Sequence, residues 1–119
     1  MRMMHVTIMT KQLNESVKFY EEQVGLTILR DMRDNPEHQS VFMSDKSGGT
    51  CVELVANPTA AYYGGGISMG FEVENIDKEY TKKEAQGFHP GPMISPNPHA
   101  RFFFVKDPNG IDIQFVQEY

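Results

Sequence analysis

From Met4 to Met9 the chain alternates: Val6 and Ile8 point one way, and His5, Thr7 and Met9 the other. A period of two belongs to a strand with two different faces. The period then lengthens. Leu13, Val17, Tyr20 and Val24 recur at spacings of four, three and four, the stripe of an amphipathic helix. Gln12 or Asn14 is placed to cap its start, and Gly25 to end it. Runs of strand-forming residues predict strands over 26–32, 39–44 and 50–56, with turns at Asn35-Pro36 and Ser47-Gly48-Gly49. The stretch 57–66 carries a proline, two tyrosines and three consecutive glycines, and reads as a linker. After it the pattern restarts. A strand is predicted over 67–74 and a helix over 75–86, ended by Gly87. Further strands fit 93–94, 101–106 and 112–117, with Asp107-Pro108-Asn109-Gly110 as the last turn.

The restart is an internal repeat. A shift of 63 lays His5 over Ser68, Ile8 over Phe71, Leu13 over Ile76 and Asn14 over Asp77. Near the end of each half the shift is 61, with Cys51–Val55 over Asp112–Val116 and Gly49 over Gly110. The same shift lays Val41-Phe42-Met43 over Phe102-Phe103-Phe104, and two deletions reconcile the halves. Each half reads β-α-β-β-β. The expected fold is therefore α+β, a single domain of two tandem modules: module one over 1–57, a linker over 58–66 and module two over 67–119. A curved four-stranded sheet with a helix on its convex face leaves the other face uncovered. Two such halves side by side are expected to form an eight-stranded, half-open barrel with a concave cleft.

The pleat assigns the faces. Val6, Ile8, Val52, Leu54, Met69, Phe71, Ile113 and Phe115 should lie under the helices. The opposite set is His5, Thr7, Cys51, Glu53, Ser68, Gly70, Asp112 and Gln114. Repeat and pleat together single out four equivalent positions: His5, Glu53, Ser68 and Gln114.

Composition narrows the partners. The 119 residues carry a net charge of −5 and no basic run, which argues against nucleic acid, whose phosphates need clustered Lys and Arg. No stretch approaches the roughly 20 apolar residues of a membrane span, and the N-terminus lacks the apolar run of a signal peptide. One cysteine excludes an intramolecular disulfide and suits a reducing cytoplasm. Eight methionines, with eight phenylalanines and no tryptophan, fit either ordinary core filling or an irregular, ligand-lined cavity. A small molecule is the expected partner.

Three segments carry a resemblance. "HVTIMTKQLNESVKFYEEQVGL" resembles the opening of the vicinal oxygen chelate superfamily, which includes the glyoxalases, bleomycin-resistance proteins and extradiol dioxygenases. In that opening a His on the first strand precedes a helix with a Ser-x-x-Phe-Tyr pattern and a closing Gly, here His5, Ser16, Phe19, Tyr20 and Gly25. "GISMGFEVENID" resembles the start of the family's second module, and "FFFVKDPNGIDIQFV" its closing strand, turn and strand. The resemblance implies metal ligands on the first and last strands of each module, at His5, Glu53, Ser68 and Gln114. Of these, His5 and Glu53 are good ligands for Zn²⁺ or Ni²⁺. The family would place His at Ser68 and Glu at Gln114, and a hydroxyl and an amide oxygen are poor substitutes. A divalent metal is therefore expected to bind weakly or not at all, and a dioxygenase iron site of two His and one carboxylate is not supplied.

The activity that this resemblance implies is that of a glyoxalase-like lyase or isomerase acting on a small oxygenated metabolite. Glu53 is its candidate base, and His5 a metal ligand or an electrostatic partner. Thr7, Ser68, His99, Arg101 and Gln114 are the candidate substrate contacts. The alternative is a metal-free binding or sequestering protein of the bleomycin-resistance type. Plainer readings stand beside these: His5 simply paired with Glu53, Gln114 with Ser68, and His38 and His89 solvated beside turns. His99 and Arg101 share one parity, but Phe102, Phe103 and Phe104 occupy both faces and leave the inward side of that strand open. Exposed strand edges predict a homodimer.

Overall fold

A computed structural model describes residues 1–119. Module one runs β1 (His5–Thr10), α1 (Leu13–Phe19) extended by a π-helical turn (Tyr20–Val24), β2 (Thr27–Asp31), β3 (Ser40–Ser44) and β4 (Cys51–Ala56). Module two runs β5 (Ser68–Glu72), α2 (Ile76–Ala85), β6 (Ile94–Asn97), β7 (Ala100–Lys106) and β8 (Asp112–Glu118). They lie in two compact units, residues 1–63 and 64–119. Each unit holds a four-stranded sheet, in the orders β1-β4-β3-β2 and β5-β8-β7-β6. In both, the first and last strands pair in parallel and the other pairs are antiparallel. The α+β class and the duplicated module are as expected. The barrel is corrected: the eight strands form two separate sheets and are not closed into one.

Each helix buries its stripe on its own sheet. In module one Leu13, Val17 and Tyr20 are buried with Ile8, Val41, Met43 and Leu54. In module two Ile76 and Lys83 are buried with Phe103, Val105, Ile113 and Phe115. Val6 has the helix-facing parity yet stays 37% exposed, while Ile8 and Thr10 further along the same strand are buried. Asn75 caps α2, its side chain accepting from the Lys78 N–H at 3.0 Å. The entry to α1 differs from expectation. Neither Gln12 nor Asn14 caps it; Thr10 Oγ1 accepts from the Gln12 N–H at 2.9 Å, and Asn14 Oδ1 accepts from Arg33 at 3.3 Å.

The structure locates both deletions. Tyr20 and Lys83 are fully buried equivalents at a shift of 63. The Leu26 N–H donates to Tyr20 O at 2.9 Å, and the Phe88 N–H to Lys83 O at 3.0 Å, so module one has one extra residue here, taken up by the π turn. The second extra residue lies in the turn after β3. There Met43 pairs with Val52, whereas in module two Val105 pairs with Ile113. Between the two deletions the shift is 62, so Val41 matches Phe103 and Phe42 matches Phe104. This corrects the alignment of that strand by one residue, and a one-residue slip exchanges its faces.

Candidate functional site

On the sheet face away from α1, Thr7, Glu53, Phe42 and Arg30 form one row across all four strands, through the pairs Thr7–Glu53, Glu53–Phe42 and Phe42–Arg30. Glu53 sits on a central strand, its side chain only 14% exposed. The Thr7 hydroxyl donates to Glu53 Oε1 at 2.5 Å. His5 Nε2 lies 3.8 Å from the same oxygen. Its ring meets the Phe42 ring edge-on at 5.7 Å, which fixes the plane of the imidazole. Glu53 Oε2 receives no hydrogen bond from the protein. A cavity of about 330 Å³ beside the row is lined by Met4, His5, Leu29, Arg30, Phe42 and Cys51.

Module two carries the copy of this row without its charges. Gly70 pairs with Gln114 and Gln114 with Phe104. A Cβ added at Gly70 would stand 3.0 Å from Gln114 Oε1, so the amide lies close over the glycine. Ser68 is exposed on β5, opposite Asp112, and has no hydrogen bond to Gln114. Asp112 is bound instead by Lys106 at 2.8 Å.

The face of β7 is settled by its partners. Phe103 and Val105 are buried under α2, and Phe102 and Phe104 share the face of Gln114. Arg101 has the parity of Phe103, so it lies on the helix side, not beside Gln114. There it grips Asp77 with two bonds of 3.0 Å each, and these, with a bond to Tyr119, raise its pKa above the ordinary value. His99 lies in the β6–β7 turn, where its carbonyl accepts from the Tyr119 N–H. His89, expected in solvent beside a turn, is exposed there, and it also borders a cavity of about 480 Å³ in module two with Phe88, Phe104, Lys106 and Asp112. Arg30 and Phe42 share the row of Glu53, and the sequence does not single them out. Only the strand register reveals them, because a bulge decides which way Arg30 points.

The donor set does not fit a resident metal. Nowhere do three His, Cys, Asp or Glu side chains gather as an ion would require. His5 and Glu53 are two donors, and the repeat supplies a hydroxyl and an amide in module two. The row offers a held carboxylate with one free oxygen, an oriented imidazole and an apolar wall.

Two β-α-β-β-β modules with a His on the first strand and a carboxylate on the last define a glyoxalase-type protein. The model of the Glyoxalase/Bleomycin resistance protein/Dioxygenase superfamily matches residues 2–115, and the chain belongs to that superfamily. It is 31% identical to a probable lactoylglutathione lyase of Vibrio cholerae, over 98% of this chain and 90% of that protein. Among solved structures, a lactoylglutathione lyase from Agrobacterium tumefaciens matches with a TM-score of 0.73 and 17% identity, over 97% of this chain and 92% of that one. TnmS3, an antibiotic binding protein from Streptomyces sp. CB03234, matches with a TM-score of 0.77 and 20% identity, over 100% of this chain and 97% of that one. No helix is long and apolar enough to cross a membrane.

Proposed function

We propose that the chain is a glyoxalase-like lyase or isomerase acting on a small oxygenated metabolite, with Glu53 as its base. One observation carries the reading. Glu53 is held by Thr7 through one oxygen and keeps the other without a protein partner, beside an oriented His5. A carboxylate so placed removes a proton from a carbon next to a carbonyl and returns it to the neighbouring carbon, leaving atoms and electrons balanced. His5, at the edge of the site, offers its imidazole N–H to the substrate oxygen on which charge develops. Sequence likeness to proteins named lactoylglutathione lyase supports the lyase class. No step passes through a metal ion, because this donor set does not supply a site for one.

Turnover of lactoylglutathione, with and without added Ni²⁺ or Zn²⁺, is the direct assay. Glu53→Gln should lower kcat by at least about 100-fold, the lower end of what a positioned acid or base contributes. It should leave the melting temperature nearly unchanged, since no packing is lost. An unfolded Glu53→Gln protein would make Glu53 structural and sink the reading. A second reading rests on the neutral residues Ser68 and Gln114: a metal-free protein that binds a compound without changing it. Absence of turnover on lactoylglutathione and related hydroxy-carbonyl compounds, with saturable binding retained, would select it. The unpaired outer edges of both sheets support a homodimer, and light scattering should then give about twice 13.5 kDa.

A further inference from the structure

We infer that Arg30, braced on Phe42, is a carboxylate-binding subsite, so that the substrate of the Glu53 site is a small oxygenated acid and not a neutral carbonyl compound. The inference rests on the reading of Glu53 as the working group of this face, and adds the substrate's charge. It begins with the backbone. In β2, Ile28 pairs with Met43 and Arg30 with Phe42, so Leu29 is an extra residue, a β-bulge. In a regular ladder Leu29 would face Phe42, and Arg30 would pair with Val41 on the side covered by α1. The bulge turns Arg30 onto the face of Glu53, and re-aiming a side chain beside a site is a recurrent use of bulges.

The guanidinium then stacks over the Phe42 ring, 5.4 Å from its centroid. Arg30 and His5 thus meet the same ring, one by stacking and one by its edge. A stacked guanidinium loses freedom but keeps its in-plane N–H donors, the geometry that suits a carboxylate. Those donors are unused within the protein, for Arg30 forms no ion pair. The nearest carboxylate along the chain, Asp31, is held by Arg33 through contacts of 2.5, 3.0 and 3.1 Å, which also lower the Asp31 pKa. In a chain of net charge −5, an unpaired, braced arginine at the rim of the cavity holding His5 is a local exception.

The sheet sets the size of the ligand. Arg30 and Glu53 are two strands apart, roughly 10 Å between backbones at the usual strand spacing. After both side chains reach inward, a molecule of three to five carbons spans the gap, and the cavity of about 330 Å³ lies at the small end for ligand sites. The carboxylate end would sit on Arg30 and the reacting carbon near Glu53. Like charges keep the acid from binding the other way round, since Glu53 repels it.

Lactate and its neutral amide, lactamide, are an isosteric pair differing in charge, and amide NMR shifts of the intact protein report their binding. Lactate should produce saturable shifts at residues of β2 and β3 and bind at least about tenfold tighter than lactamide. Arg30→Gln should abolish that preference and Arg30→Lys should keep part of it. Glu53→Gln should retain or strengthen lactate binding. No saturable shifts with lactate, or an Arg30→Gln protein that prefers lactate as wild type does, would overturn the inference. The dispersed spectrum of each variant certifies its fold. Failure of turnover in wild type with the lactate preference intact would remove only the catalytic role of Glu53, and turnover with no such preference would remove only the subsite.

Discussion

Where module one has Thr7 facing Glu53, module two has Gly70 facing Gln114. Where module one continues through Phe42 to a stacked Arg30, module two continues through Phe104 to the backbone of Gly91, whose N–H donates to Phe104 O at 3.1 Å. The pairing of the three inner positions of the row is duplicated, Thr7–Glu53–Phe42 by Gly70–Gln114–Phe104, but the charges are not. The cores diverge in the opposite sense. Module one is filled by Val41, Leu54 and Met43 around Tyr20. Module two is built on rings: Phe103 lies 5.3 Å from Phe115 and 5.0 Å from Tyr80 between centroids. One copy concentrates chemistry, and the other concentrates apolar bulk. Duplication allows this, because a module that keeps its core pattern can lose its polar row without losing its fold.

The largest effect should come from that difference in cores. Phe103 and Val41 are equivalent and both fully buried. Phe103→Ala removes a ring from a three-ring cluster and should cost about 3–5 kcal/mol. Val41→Ala removes two methyl groups and should cost about 2 kcal/mol. Urea denaturation of both variants checks the contrast. Equal costs would mean that the aromatic cluster adds nothing beyond the volume of an aliphatic core.

The legibility of each feature in the sequence depends on its period. Strand alternation and the helical stripe repeat several times, so β1, α1, β4, β5, α2 and β8 can be read from residue types, and with them the positions of His5, Glu53, Ser68 and Gln114. Single-residue insertions do not repeat. The π turn at Tyr20–Val24, the extra turn residue before β4 and the bulge at Leu29 each displace the pattern once. The first two put Phe42 over the wrong phenylalanine, and the third hides Arg30. Arg101 has a different cause. Nothing in the sequence says that Asp77, in the first turn of α2, is the carboxylate it meets. The faces of β7 cannot be read because three consecutive phenylalanines erase the alternation that marks them.

The difference in polar rows gives the second test. Ser68→His with Gln114→Glu writes the His5 and Glu53 pair into module two. The Glu replaces an amide of the same volume, already lying over Gly70. Wild type should bind Zn²⁺ or Ni²⁺ weakly, and the double variant should bind at least about 100-fold tighter, taking the 10–100-fold effect of changes around metal ligands as a floor for each donor. Calorimetry on tag-free protein measures both. One tight ion per wild-type chain would show that other donors complete a site. No gain in the double variant would show that a His and a Glu at these two positions of module two do not hold an ion.

The smallest effect concerns the one buried position where the modules exchange an aromatic for a charge. Tyr20 in module one matches Lys83 in module two, and both are fully buried. Lys83 Nζ lies 4.8 Å from the centroid of Phe115 and 3.1 Å from Glu79 Oε2. Both contacts favour the charged amine, yet burial outweighs them and lowers the Lys83 pKa below its ordinary 10.5. The unfolded chain therefore binds more protons than the folded one between the lowered pKa and 10.5. Stability must rise with pH across that window, and the cost of Lys83 is fully present below it. Lys83→Met keeps the length and apolar stem and removes the charge. At pH 7 it should be more stable than wild type by roughly 1 kcal/mol, since replacing a buried ion pair by an apolar side chain is often neutral or stabilising. That advantage should shrink as pH approaches 10.5. Urea midpoints of both proteins at pH 7, 8.5 and 10 decide it. A destabilised Lys83→Met at pH 7 would mean that Glu79 and the Phe115 ring outweigh desolvation. A difference constant with pH would mean that Lys83 does not titrate within the window.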